Sequence, residues 1–283
     1  MTLVLGLFIG LGTAFAGDST EQAPPSGALS GEIVVPAEAS VAAVYDGDTM
    51  TLSSGDRVRL RWVNTPELKP PEKYGLEARE LTASLVLQKT VTLLYGAQKR
   101  DSYDRLLAGV VVEGRNLSIA LLEAGLGHLF VIPPDDTDLA PLLAAQAKAQ
   151  AARRGVWSTE DYQGALHITS FHANADGDDR QNVNGEYLRL CNVSADVLDT
   201  SGYRIADISG RSWEFPTAIL PPGHTLKVHS GRGTHQLDPS AQIEVYLGSS
   251  DPIWNNTEDR ATIYDRYGRV VDSRDHHVDH PNP

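Results

Sequence analysis

Apolar and polar residues change their spacing along this chain, and the changes divide it. Between residues 40 and 52 the pattern turns back on itself: Val41 and Val44 lead in, Asp46-Gly47-Asp48 turns, and Thr49 to Leu52 lead out, with Ser53-Ser54-Gly55 making a second turn. Residues 57–63 are expected to follow as a strand. Strand side chains alternate between faces, so Arg59 and Arg61 share one side and Leu60 and Trp62 the other. Thr65-Pro66 ends it, because proline has no N–H for a sheet and holds its predecessor extended, and the exit presents Glu67. These strands open a small barrel. Over 74–87 the period becomes three and four, with Leu76, Ala83 and Leu87 flanked by Leu81, Leu85 and Val86, which predicts a helix. Strands are expected at 90–95 and 106–113. A helix at 117–124 is capped by Asn116 and stopped by Gly125. A third helix spans 140–154, with Arg153 and Arg154 at the negative end of its dipole. From His167 onward helical spacing vanishes. Short runs at 187–191, 226–229, 243–247, 262–264 and 270–272 alternate with turns such as Asn184-Gly185 and Pro222-Gly223, the pattern of an all-β sandwich.

The 283 residues allow about two domains. Residues 2–15 are apolar and uncharged and end in Ala14-Phe15-Ala16, so 1–16 reads as a signal peptide, atypical in lacking Lys or Arg at its start. A secreted, cell-surface or periplasmic protein without stable membrane insertion is expected, the run being too short to span a bilayer comfortably. Residues 17–39, rich in Pro, Ser, Ala, Glu and Gly, read as a flexible linker. Cys191 is the only cysteine, which excludes an intramolecular disulfide. The net charge of −13 is uneven. Residues 39–158 carry fourteen basic and fourteen acidic residues, whereas 159–283 carry ten against nineteen. Contact with a polyanion is therefore confined to the middle segment.

That segment holds three separated pieces of one chemistry: Asp46-Gly47-Asp48-Thr49, then Arg59 with Asn64-Thr65-Pro66-Glu67, then Asp101-Ser102-Tyr103-Asp104-Arg105. They supply carboxylates for a hard cation, a candidate base and two guanidinium groups. Hydrolysis of a phosphodiester uses that set, to polarise a phosphoryl oxygen, activate water and neutralise developing charge. Singly, each piece has a plainer reading: the first as a hairpin turn, Arg105 as a surface ion-pair partner. Arg61 reads either as a second phosphate contact or as part of a solvated face, the latter being favoured.

The ordered series DGDT, RLRWVNTPE, EKYGLEA, RDSYDR, LLEAGL and AAQAKAQAARRGVW resembles the staphylococcal nuclease (thermonuclease) family over residues 40–158. The resemblance implies an α+β domain, an OB-like five-stranded β-barrel with three helices, acting on DNA or RNA with one Ca²⁺. It implies that Asp48 and the Thr65 carbonyl ligate calcium, that Arg59 and Arg105 hold the scissile phosphate, that Glu67 acts as general base or orients water, and that Tyr103 lies near the nucleotide. Three departures stand out. Asn64 occupies the place of a second aspartate, so the metal site is expected to be weaker, or completed by Asp46 or water. Asp104 replaces a glycine beside Arg105 and is expected to compete with phosphate for it. Ser102 and the apolar Val131, Ile132 and Pro133 replace a lysine and tyrosines, which predicts poorer base stacking.

Residues 184–192, 200–207, 220–228 and 253–256 resemble a lamin-tail domain, which implies an immunoglobulin-like sandwich over 165–275 that binds or positions a partner and performs no chemistry; Tyr203 stands where a tryptophan is usual. The residues name no partner for this domain. Asp176, Asp178 and Asp179 crowd one loop, read as an Asx-rich turn in preference to a Ca²⁺ site. Residues 276–283, with His276, His277 and His280, read as a disordered tail. The expectation is thus an exported, monomeric, metal-dependent nuclease with a C-terminal binding module. Two alternatives from other classes are a non-catalytic single-stranded nucleic-acid-binding barrel and a surface adhesion or scaffold protein led by the C-terminal domain.

Overall fold

A computed structural model describes residues 35–134 and 138–277. The expected signal peptide, nearly all of the linker and His280 lie outside the described residues. Along the chain come β1 (Glu38–Val44), β2 (Thr49–Leu52), β3 (Arg57–Leu60), β4 (Trp62–Asn64), α1 (Gly75–Val86), β5 (Thr90–Arg100), β6 (Leu106–Val112), β7 (Arg115–Asn116), α2 (Leu117–Ala124), β8 (His128–Phe130) and α3 (Ala140–Ala151). The all-β region follows with β9 (Leu166–His172), β10 (Tyr187–Asn192), β11 (Leu198–Asp199), β12 (Arg204–Ala206), β13 (Ser212–Glu214), β14 (Ile219–Leu220), β15 (Thr225–His229), β16 (Ile243–Tyr246), β17 (Glu258–Tyr264) and β18 (Val270–His277).

Antiparallel pairing runs β3-β2-β1-β5-β6, and a parallel pairing of β3 with β6 closes these five strands into a barrel. Alternate residues point inward: Met50 and Leu52, Val58 and Leu60, Leu106, Ala108 and Val110 are all buried. Leu121 and Leu122 of α2, Val86 of α1 and Leu142 of α3 join that core. The N-terminal region is therefore the expected five-stranded barrel with three helices. The strand expected over 57–63 divides, however. β3 stops at Leu60, the chain bends at Arg61, and Trp62 adopts φ 65° before β4 pairs antiparallel with β8. Leaving the barrel to reach β8 breaks the regular strand at Arg61. Arg61 is buried, with its guanidinium carbon 4.1 Å from the centre of the Trp62 ring, and its solvated-face reading is corrected.

The C-terminal region is all β, as expected. The sheet β16-β15-β10-β9 and the sheet β13-β12-β17-β18 enclose a second core of Leu188, Leu190, Leu226, Val228, Val245, Ile205 and Ile263, with Tyr203 and Trp254 inside it. β18 continues through His276 and His277, which pair with Asp259 and Glu258. Those two histidines, expected in a disordered tail, complete a strand.

Barrel and sandwich are joined by direct bonds. The Val131 N–H donates to the Gly223 carbonyl at 2.7 Å, and the Cys191 thiol lies 3.3 Å from the Leu129 carbonyl. Val131, an apolar replacement expected to weaken base stacking, is thus buried at this junction. Cys191 is fully buried, and burial raises its thiol pKa far above the usual range. Among the described residues no helix is long and apolar enough to cross a membrane.

Candidate functional site

The site grows from the loop between β1 and β2. Helix α1 crosses so close to Gly47 that a Cβ there would sit 2.7 Å from the Ala78 Cβ and from the Thr65 Oγ1. The Thr82 hydroxyl fixes the approach by donating to the Gly47 carbonyl at 2.6 Å. Only glycine permits this crossing, and it turns Asp46 and Asp48 to the same buried place. Asp48 Oδ2 accepts from the Thr65 backbone N–H at 2.9 Å and from the Thr65 hydroxyl at 3.1 Å. Its other oxygen accepts from the Thr49 hydroxyl.

Arg59 lies on the outer face of β3, opposite in parity to the buried Val58 and Leu60. Its Nη1 donates to the Leu60 and Val63 carbonyls at 2.7 and 2.8 Å, while Nη2 donates to Asn64 Oδ1 at 2.8 Å and pairs with Asp48 Oδ2 at 3.2 Å. One guanidinium thereby staples the bend at residues 60–64 to the Asp48 loop. The Asn64 amide approaches His128 Nε2 at 3.5 Å, while His128 Nδ1 lies 2.9 Å from the Leu129 carbonyl. Donation from Nδ1 leaves Nε2 as the acceptor, which turns the Asn64 oxygen toward Arg59. Burial, then His167 and Arg59, lower the His128 pKa to about 3, so it is neutral.

Glu67 follows two residues after Thr65. Burial, with the nearby charges of Asp48, Asp46 and Glu72, raises its pKa to about 7, against a smaller lowering by Arg59. Burial and Asp48 likewise raise Asp46 to about 6. Asp46, Asp48, Arg59, Asn64, Thr65 and Glu67 are therefore brought together. Glu72 holds the Glu67 backbone at both ends: its carboxylate accepts the Glu67 N–H at 2.8 Å, and its own N–H donates to the Glu67 carbonyl at 2.8 Å.

Arg105 and Tyr103 stand on the adjacent turn leading into β6, the strand that pairs with β3. No hydrogen bond among the described residues links them to Asp48, Asn64 or Glu67. Asp101 accepts the Arg105 N–H with one oxygen at 3.0 Å and the Arg105 Nε with the other at 2.7 Å. The terminal nitrogens of Arg105 make no hydrogen bond among the described residues. Tyr103 is 72% exposed, with the Arg105 guanidinium 5.5 Å from its ring. Asp104 takes φ 61°, the conformation that favours glycine, and its carboxylate turns to Arg100 at 3.5 Å. The competitor expected at Asp104 is in fact Asp101, and it takes only the Nε edge.

A hard cation suits the chemistry of these donors: the buried carboxylates of Asp46 and Asp48, the Asn64 amide oxygen and the Thr65 carbonyl, all oxygen. Among the described residues no group of three or more His, Cys, Asp or Glu side chains is arranged to hold a metal. The uncharged Asn64 and Thr65 would have to contribute. Sequence reasoning missed His128, a lone histidine between apolar neighbours, and gave Glu72 no role although it begins the EKYGLEA series.

The staphylococcal nuclease homologue family model matches residues 57–159 and the Lamin Tail Domain model residues 159–277. An uncharacterized endonuclease of Escherichia coli is 36% identical over 123 residues, covering 43% of this chain and 77% of the relative. The thermonuclease of Staphylococcus intermedius is 32% identical over 121 residues, 40% of this chain and 72% of the relative. An uncharacterized protein of Bacillus anthracis is 34% identical over 128 residues, and there the chain spans only 60% of the relative's length.

Proposed function

This chain belongs to the staphylococcal nuclease family, with a lamin tail domain behind the barrel, and from that premise we propose that it hydrolyses phosphodiester bonds of DNA or RNA. The observation that carries the reading is the joining of Asp48, Arg59, Asn64 and Thr65 in one bonded cluster, with Glu67 half-buried against it. A binding barrel has no need of a carboxylate held near neutrality beside two more carboxylates.

Asp48, the Asn64 amide oxygen, the Thr65 carbonyl and Asp46 would hold one divalent cation, with Ca²⁺ the proposed ion, and when bound it would supply positive charge to the phosphoryl oxygens. Glu67, with its pKa near 7, accepts a proton from the attacking water. Arg105 offers its terminal nitrogens to the phosphate while Asp101 holds Nε. Arg59 keeps Asp48 and the bend in register, and it adds its charge to the same place. Tyr103, exposed beside Arg105, would meet the nucleotide. The apolar run at residues 2–15, ending in Ala14-Phe15-Ala16, supports export, which blotting of medium against cells would check.

The test is release of acid-soluble nucleotides from denatured DNA and from RNA, screened across divalent cations. Release that depends on added Ca²⁺ is expected. No release with any cation would overturn the nuclease reading, and release that persists in chelator would overturn the metal.

A further inference from the structure

The carboxylate that holds Glu67 is itself held from the other domain. Glu72 Oε2 accepts the Glu67 N–H, and Glu72 Oε1 accepts from Arg274 Nη2 at 2.6 Å. Arg274 lies on β18 of the sandwich and is anchored there, its Nη1 donating to the Ile168 carbonyl of β9 at 2.9 Å. The side chains of Arg274 and Glu72 are only 21% and 29% exposed, which limits screening of the pair. The neighbouring surroundings are also shared between the two regions: Tyr162, preceding the sandwich, stacks on His167 at 4.1 Å, and His167 in turn lies edge-on to His128 of β8.

We propose that Arg274 is a positioning residue for the nuclease site, supplied by the lamin tail domain: it fixes Glu72, and Glu72 fixes the backbone of Glu67. An interface ion pair with no such role would end on a carboxylate that holds nothing else. This one ends on the group that accepts the Glu67 N–H and whose own N–H meets the Glu67 carbonyl. With Arg274 gone, the Glu72 carboxylate loses its partner and turns to water, and Glu67 loses its N–H acceptor. A shift of the order of 1 Å in a reacting group costs about a hundredfold in rate. The catalytic role of Glu67 here rests on the nuclease reading; the linkage between the domains does not.

Two readouts on the full chain separate the two. Hydrogen exchange at the Glu67 amide, which needs no activity, should quicken at least about tenfold in Arg274→Gln, while Arg260→Gln, which removes an exposed pair with Asp275 on the same sheet, should match wild type. In cleavage assays Arg274→Gln should lower kcat about ten- to a hundredfold with KM within about threefold, and Arg274→Lys, which keeps a cation on Glu72, should recover most of it. Unchanged Glu67 protection in folded Arg274→Gln overturns the proposal, as does a kcat that stays at the wild-type value. Should Arg274→Gln fail to fold, Arg274→Met, which fills a similar space without charge, carries the same exchange measurement, and protection at the wild-type level in it overturns the proposal. If wild type cleaves nothing, the nuclease reading falls while the exchange result still decides the linkage.

Discussion

Arg105 sits in a turn that recurs in the sandwich. Asp101 with Arg105, Asp207 with Arg211 and Asp265 with Arg269 each place an aspartate four residues before an arginine, one oxygen taking the arginine N–H and the other its Nε. The residue before the arginine has positive φ each time, Gly210 and Gly268 in the sandwich and Asp104 in the barrel. A left-handed aspartate is tolerated because its short side chain adapts, at a cost of about 1 kcal/mol relative to glycine. The turn itself is thus a structural device, and what distinguishes Arg105 is its place beside β3. Titration adds a second residue-scale consequence. Glu67 has a folded pKa of about 7 against an ordinary 4.5, so the folded chain holds its proton longer than the unfolded chain and loses stability as pH rises through that window. His128 acts oppositely: held to about 3 against 6.5, it costs stability as pH falls below 6.5. In chelator, Glu67→Gln should therefore raise Tm at pH 8 and leave it nearly unchanged at pH 4, read by thermal melts. A Tm lowered at pH 8 would mean that Glu67 is not repelled by its neighbours. The candidate cluster of Asp48, Arg59, Asn64, Thr65 and Glu67 could be assembled from the sequence because these residues lie in two short runs. His128 could not, since its role depends on a contact to Asn64 across 64 positions.

At the scale of elements, the barrel strands and helices were legible where the apolar period was unbroken. α2 starts on the Asn116 side chain, which accepts the Ile119 N–H, and ends at left-handed Gly125, as the residues indicate. The bend at Arg61 was not legible: Arg59-Leu60-Arg61-Trp62 alternates correctly for a strand, and only the pairing of β4 with the distant β8 breaks it. The approach of α1 to the Asp46–Asp48 loop is another tertiary fact, hidden in a glycine that reads equally well as an ordinary turn residue. Gly47→Ala should push α1 away, lowering stability by about 1–3 kcal/mol in denaturant melts and reducing nuclease turnover with it. A variant of wild-type stability would show that the loop and helix have room to give.

For the whole molecule, the acidic sandwich is more than cargo behind a barrel. It covers β8 and Val131, buries Cys191 against Leu129, and reaches the nuclease loop through Arg274. Length suggested about two domains, but no periodicity reports which surfaces of two domains will meet. Gly223 marks that meeting. It has φ 76°, and a Cβ there would stand 2.5 Å from the Leu129 Cγ, so Gly223→Ala should cost about 2 kcal/mol or more and expose the Cys191 thiol to alkylation sooner on heating. Equal alkylation rates in the two proteins would argue that the junction does not depend on this fit. The central claim, that the Asp48–Arg59–Glu67 cluster hydrolyses phosphodiesters, is tested most directly by single-turnover cleavage of denatured DNA in Ca²⁺ by wild type and Glu67→Gln side by side. Wild type should cleave, and the variant at matched folding should lose about two to four decades. A Glu67→Gln variant that cleaves as fast as wild type would contradict it.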